Sequence, residues 1–136
     1  MLIFISCADR PGTAALRAHA RLQHLEYMIA NIDKLVFGGL LSVAPGEPNP
    51  GTIFVLELPT LEAAEDFLAR EPYHRAGVFD SVEIRVFRQM WPELDPGALE
   101  HELRLERERR RRAQPADAAK PADTQTHPGD PKAGEA

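Results

Sequence analysis

Four side chains suited to ligand binding and proton transfer recur at helical spacing in the first quarter of the chain: Arg17, Arg21, His24 and Met28. At 100° per residue they lie within a sector of about 60° on one side of a helix. A histidine at the margin of an apolar face titrates near neutral pH and can exchange a proton with a bound molecule. Neighbouring arginines favour anionic or oxygen-rich ligands. The spacing predicts an acid–base site on this helix, with Arg17 and Arg21 as ligand-binding residues.

Glu71 is the candidate carboxylate partner of His24. It ends the predicted second helix and directly precedes Pro72, and the residue before a proline is disfavoured in a helix. If both helices cover one face of a sheet, the two side chains could meet, and the carboxylate would fix the histidine tautomer and support the imidazolium. The alternative is structural: a boundary histidine with one hydrogen bond, and a charge at a helix end. The residue pattern alone favours this structural alternative.

Three further residues are weaker candidates. Asp9 precedes a turn and is expected to cap it, with ligand binding as a minor alternative. Tyr73 is expected to pack against the core, and a pocket-lining role also stays open. Cys7 ends a buried strand, which indicates an inert core thiol rather than a nucleophile.

Metal and nucleotide chemistry have no support in the sequence. No group of His, Cys and carboxylate residues has the spacing of metal ligands, and there is no Gly-x-Gly-x-x-Gly or Walker motif. The sequence therefore predicts no metal and no cofactor.

The elements that must position these residues alternate between the periods of strand and helix. Short apolar runs predict four strands, at 2–7, 34–43, 52–58 and 78–87. Helical spacing predicts two helices, at 13–31 and 61–70, with Thr13 and Thr60 as caps. The resulting order predicts an α+β, ferredoxin-like βαββαβ fold, in which a four-stranded antiparallel sheet carries two helices on one face.

Two details of packing follow from the same patterns. The apolar residues of the first helix form a narrow stripe that we expect to face the core: Ala14, Ala18, Leu22, Leu25, Ile29 and Ile32. Gly38 and Gly39 predict a bend or bulge in the second strand.

The strands are apolar on both faces, as in 2–5 and 53–56. The sheet face without helices therefore needs cover. A second copy packed sheet against sheet would supply it, which predicts a homodimer of the dimeric α+β barrel type.

Composition divides the chain into three parts. Residues 1–93 are predicted to form the globular domain. Residues 94–112 are predicted to form a charged helix, because good helix formers follow Pro96. Residues 113–136 contain no Leu, Ile, Val, Met or aromatic side chain, so we expect a disordered tail.

The charge and hydrophobicity of the chain limit the classes of binding partner and the cellular location that we expect. The chain has 136 residues and a net charge of −5, which gives no general support for nucleic-acid binding. No apolar stretch approaches the roughly 20 residues of a membrane span, and the start does not have the pattern of a signal peptide. With a single cysteine and no disulfide framework, the expected location is cytoplasmic. The arginines at 109–112 follow acidic residues and indicate a solvated helix end, which complements the helix dipole.

Several segments in order resemble the YciI-like, or YCII-related, proteins over about residues 1–90. They are Asp9-Arg10-Pro11-Gly12, Arg17-x-x-x-Arg21-x-x-His24-Leu25-x-Tyr27-Met28, Gly39-Leu40-Leu41 and Glu71-Pro72-Tyr73-x-x-Ala76-Gly77-Val78-Phe79. The resemblance implies a ferredoxin-like fold, a dimer and an acid–base site made of a helix histidine and an aspartate in an Asp-Pro-aromatic motif. His24 matches the histidine. Glu71 stands at the aspartate position and lengthens its arm by one methylene.

Two classes of function stay open at this point. One is a cofactor-independent enzyme in which His24 and Glu71 are catalytic and carry out elimination or isomerisation on a small organic molecule. The other is a non-catalytic dimeric module that binds a ligand or acts as an adaptor. A deep pocket with His24 and Glu71 in hydrogen-bond reach favours the enzyme, and a collapsed pocket favours the module.

Overall fold

The backbone of residues 1–92 follows the predicted order of strands and helices, with one additional single-turn helix. The structure, a computed structural model, describes residues 1–47 and 50–115. The elements of this unit are β1 (Leu2–Asp9), α1 (Ala14–Ala30), β2 (Leu35–Leu41), β3 (Gly51–Glu57), α2 (Leu61–Arg70), α3 (Pro72–Arg75) and β4 (Phe79–Phe87). The four strands form one antiparallel sheet in the order β2-β3-β1-β4. The α+β ferredoxin-like prediction is confirmed.

The core lies between one face of the sheet and the helices. β1 contributes every second residue, Ile3, Ile5 and Cys7, and all three are fully buried. Phe67 and Leu68 of α2 pack into the same cluster. This alternation is the period of two that a strand imposes on its side chains, so the sheet has a helix-covered face and an outer face.

Helix α2 begins and ends as the sequence predicts. The Thr60 hydroxyl accepts a hydrogen bond from the backbone N–H of Ala63 at 3.1 Å, the geometry of a side-chain N-cap. After Arg70 the chain is extended at Glu71, and α3 follows immediately. Pro72 is therefore the first residue of a short helix.

Helix α1 is rotated relative to the prediction. Its sheet-facing side consists of Ala20, which is buried, and of Arg17, His24, Tyr27 and Met28, which are partly buried. The predicted apolar stripe faces outward instead: Leu22, Ile29 and Ile32 are 64%, 72% and 66% exposed, and Ala14, Ala18 and Leu25 are exposed as well. The expectation that this stripe packs on the core is wrong.

Two local predictions are also wrong. The Thr13 hydroxyl does not cap α1; it donates to the carbonyl of Arg10 at 2.6 Å. The irregularity in β2 lies between Leu35 and Phe37, not at the glycines. Gly38 pairs regularly with Phe54, and a Cβ there would lie 2.8 Å from the carbonyl oxygen of Ile53. Close approach of two strands, rather than a bulge, explains this glycine.

The chain from Glu93 onward forms a separate unit. Its helix α4 (Ala98–Ala113) follows Gly97, whose φ of 83° is left-handed. The Glu93 carboxylate accepts hydrogen bonds from the backbone N–H groups of Gly97 and Leu99 at 2.9 and 3.0 Å. No residue of α4 is buried. The predicted tail falls almost entirely outside the described residues, because the description ends at residue 115.

No helix within residues 1–47 and 50–115 combines the length and apolar character needed to cross a membrane.

Candidate active site

His24 of α1 meets Glu71, which lies between α2 and α3, on the sheet-facing side of α1. His24 lies on the sheet-facing side of α1, and Nδ1 of its ring hydrogen-bonds Oε1 of Glu71. The Glu71 side chain is completely buried, and that of His24 is 12% exposed. The sequence predicted that these two residues could meet, and the structure places them in direct contact.

The backbone around Pro72 explains why Glu71 points inward. Glu71 is extended, with φ −65° and ψ 124°, and serves as the N-cap of α3. Its Oε2 accepts a hydrogen bond from the backbone N–H of His74 at 2.8 Å. An N–H group can only donate, so an ionised carboxylate satisfies both contacts at once, one through each oxygen. The same residue caps a helix and holds the histidine.

This pairing determines which histidine nitrogen is available for chemistry. When Glu71 accepts from Nδ1–H, the neutral imidazole keeps a lone pair on Nε2. Within the described part of the chain, no residue hydrogen-bonds Nε2. Nε2 is therefore the atom that can accept a proton from a bound molecule, while the carboxylate stabilises the imidazolium that results.

Tyr73 contacts both His24 and Arg17 on this side of α1. Its ring stacks on the His24 imidazole, with 4.0 Å between centroids and 16° between planes. The guanidinium carbon of Arg17 lies 4.5 Å from the same centroid. Arg17 and His24 are two turns apart, about 10 Å along the helix, so the tyrosine ring fills the space between them. Tyr73 is 1% exposed, which makes it a buried support as well as part of a pocket wall.

Arg17 and Asp9, both predicted to bind a ligand, bind each other. Nε of Arg17 donates to Oδ2 of Asp9 at 3.0 Å, and its NH2 group donates to the Thr52 hydroxyl at 2.6 Å. Both charged side chains are largely buried, at 15% and 12% exposure. The arginine therefore ties the end of β1 to β3 beside Tyr73, and its charge is already matched by a carboxylate.

A cleft of about 410 Å³ opens beside the pair. His24, Arg21 and Tyr73 line it together with apolar residues of α1 and β2, among them Leu25, Met28, Phe37 and Leu40. Arg21 was predicted to bind a ligand, and a pocket-lining role was left open for Tyr73. Thr52, Phe54 and the β2 residues were not predicted to line a site. The Gly38-Gly39 pair was the available signal, because glycine in a strand often marks close approach of another group.

Cys7 lies in the core near the site and is not a nucleophile. Burial, and then the charges of Glu71 and Asp9, raise the pKa of its thiol to about 12. A thiol of that pKa stays protonated at neutral pH. Among the described residues, no group of three or more His, Cys, Asp or Glu side chains is arranged to hold a metal ion.

The fold and this pair define a ferredoxin-like α+β protein with a buried histidine–carboxylate site. The chain belongs to the family of the YCII-related domain, whose model matches residues 1–88. The predicted family is thereby confirmed, and residue 71 differs from the aspartate of the motif only in length. No curated protein matches the chain in sequence.

Solved structures provide a further comparison. The chain is similar to the 5-chloro-2-hydroxyhydroquinone dehydrochlorinase of Burkholderia phenoliruptrix AC1100 in complex with 2,5-dihydroxybenzoquinone. The TM-score is 0.62 and the identity 25%, over 65% of this chain and 95% of that chain.

Two other structures are more distant. A NIPSNAP family protein of Agrobacterium tumefaciens str. C58 has a TM-score of 0.44 and 13% identity, over 69% of this chain and 97% of that chain. The cofactor-independent oxygenase SnoaB of Streptomyces nogalater has a TM-score of 0.42 and 15% identity, over 68% and 97%. Similarity at this level carries no information on function.

Proposed function

We propose that the protein is a cofactor-independent enzyme in which His24 and Glu71 carry out acid–base chemistry on a small organic molecule. The observation that carries the proposal is the buried hydrogen bond between Glu71 and Nδ1 of His24, beside an open cleft. Burying a carboxylate completely costs free energy of folding, unless hydrogen bonds and an opposite charge compensate for the lost water. The role that suits this geometry is orienting the imidazole and stabilising its charged form.

The reaction class is elimination or isomerisation. Nε2 of His24 takes a proton from a C–H or O–H group of the substrate, and the electron pair left behind expels a leaving group or shifts along the molecule. The imidazolium then returns the proton to the leaving group or to another atom, so the enzyme ends unchanged. The similarity to the 5-chloro-2-hydroxyhydroquinone dehydrochlorinase supports an elimination, because dehydrochlorination removes a proton and a chloride from the substrate.

The non-catalytic ligand-binding module is the competing function. It uses the same cleft but leaves the contact between His24 and Glu71 without a chemical task. In the structure the cleft is open and the two side chains touch, which is the arrangement that favours the enzyme.

Homodimerisation is part of the proposal. The register places Phe4 and Val55 side by side on the outer face of the sheet, opposite the helices. Phe4 is partly exposed there. A second copy packed on this face would bury it, as in the dimeric α+β barrel, and light scattering of the full chain should then give twice the mass of 15.1 kDa. We keep the predicted boundaries of 1–93, 94–112 and 113–136, and the cytoplasm, as further parts of the same proposal.

The direct test is chloride release from 5-chloro-2-hydroxyhydroquinone by the full chain. We expect turnover by the unmodified protein, and a loss of at least 100-fold in His24→Gln because general acid–base catalysis contributes roughly that much. His19→Gln is the matched control, since His19 is an exposed histidine on the same helix. Binding of 2,5-dihydroxybenzoquinone without any turnover would favour the ligand-binding module instead.

A further inference from the structure

Arg17 and Arg21 of α1 are in opposite states: Arg17 is partly buried, and Arg21 is exposed at the cleft. Arg17 is held by Asp9, Thr52 and the ring of Tyr73. Arg21, one turn later, lines the cleft next to His24 and has no hydrogen-bond or ion-pair partner among the residues the structure describes. The sequence predicts the same role for both arginines, but only Arg17 is held by hydrogen bonds to other parts of the fold.

The lining of the cleft makes the free guanidinium significant. Among the described residues, Arg21 is the only arginine or lysine that lines the cleft, and no Asp or Glu lines it. Most of the remaining lining is apolar, from Met28 and Phe54 to Leu40. A molecule that fills the cleft displaces water from the guanidinium, and the lost hydrogen bonds must be replaced by acceptors on the molecule itself.

We infer that the substrate is an organic anion: a small, flat, mostly hydrocarbon molecule with a carboxylate or phenolate group that Arg21 binds. The inference rests on the proposed function and specifies its substrate class. Arg21 and His24 are three residues apart on a helix, with about 5–6 Å between their Cβ atoms. The anionic group and the reacting C–H therefore lie within the length of one six-membered ring. The apolar lining accepts the body of the molecule.

The planar guanidinium matches a carboxylate through two parallel hydrogen bonds. A neutral molecule of the same shape offers weaker acceptors and no charge. The cleft should therefore discriminate by charge rather than by shape, and the discrimination should depend on Arg21 alone.

Benzoate and benzamide are suitable probes, because they are nearly equal in shape and differ in charge. We expect isothermal titration calorimetry of the full chain to show at least tenfold tighter binding of benzoate. In Arg21→Gln, the affinity for benzoate should fall at least tenfold, and the affinity for benzamide should be unchanged. Arg21→Lys should keep part of the preference, because the charge remains. Arg75→Gln removes an exposed arginine outside this cleft and should leave the affinity for both ligands unchanged.

Equal binding of the two probes, binding of neither, or equal losses for both in Arg21→Gln would overturn the inference. These results do not depend on turnover. They are separate from the test of the proposed function, because that test measures chloride release and its dependence on His24, whereas this one measures the affinity for two unreactive probes and its dependence on Arg21.

Discussion

The two sides of helix α1 differ in a direction opposite to the usual pattern of a surface helix. The side that faces the sheet and α3 carries Arg17 and His24, and each is held by a buried or nearly buried carboxylate. The outward side carries Leu22 and Ile29, each more than 60% exposed. A helix that builds a site is oriented by the groups that must be hydrogen-bonded, and its apolar residues occupy the side that remains.

Magnitudes explain the preference. Exposing a leucine or isoleucine side chain that could be buried costs about 1.5–3 kcal/mol. Leaving a buried carboxylate without a partner costs about 3–5 kcal/mol, and rotating α1 would remove His24 from Glu71 and Arg17 from Asp9 together. For the two carboxylates together the loss is about 6–10 kcal/mol, against about 3–6 kcal/mol for exposing Leu22 and Ile29. The polar contacts therefore favour the observed orientation, and the difference between the two sides can be tested by substitution on each.

The largest effect is expected for His24→Ala. The substitution leaves the buried carboxylate of Glu71 without its charged or polar partner, so the free energy of unfolding should fall by about 3 kcal/mol. Urea denaturation of the full chain, followed by circular dichroism, measures it.

Ile29→Ser is the matched control on the outward side of the same helix. Its side chain is 72% exposed, so a change within about 0.5 kcal/mol is expected. Similar losses in the two variants would remove the contrast between the two sides of α1.

Tyr73 gives a smaller and more selective effect. Tyr73→Leu removes the ring that stacks on His24 and fills the space beside Arg17, so we expect a loss of about 2 kcal/mol in the free energy of unfolding. Tyr73→Phe keeps the ring and should retain most of this stability. If the two variants are equally destabilised, the ring is not what supports the histidine.

The exposed carboxylate of Glu106 in α4 is the counterpart of Glu71 and should give the smallest effect. Hydrogen bonds from Arg109 and Arg110 lower the pKa of Glu106 to about 2 from an ordinary 4.5. A carboxyl whose pKa is lowered in the folded helix stabilises that helix above pH 4.5, and the contribution is lost as the pH falls toward 2.

Glu106→Gln should therefore reduce the helical circular dichroism signal slightly at about pH 7 and have a much smaller effect near pH 2. Glu108→Gln, on the same helix, is the control. An equal reduction at both pH values would show that the ion pairs with Arg109 and Arg110 do not support α4.

The sequence was sufficient for the order of elements and for naming His24 and Glu71 as two residues that could meet. Period-two runs and the Thr60 cap are local signals, and Pro72 after Glu71 correctly indicated where the helix must end. The orientation of α1 could not be read from its own residues. It depends on Glu71, 47 positions later, being buried beside His24.

The roles of the two arginines were beyond the sequence for a similar reason. Arg17 and Arg21 occupy the same helical sector, and only the fold brings Asp9 and Thr52 to the first of them. Contacts between distant segments decide such alternatives, because local propensity is nearly equal for both.

The most direct test of the His24–Glu71 pair is the tautomer of the His24 ring. Nitrogen-15 NMR of the ligand-free full chain, titrated upward until the ring shifts no longer change with pH, distinguishes a protonated ring nitrogen from one with a lone pair. The hydrogen bond to Glu71 predicts that Nδ1 carries the proton and Nε2 the lone pair. A spectrum in which Nε2 is protonated and Nδ1 is bare would contradict the pair, and with it the acid–base function.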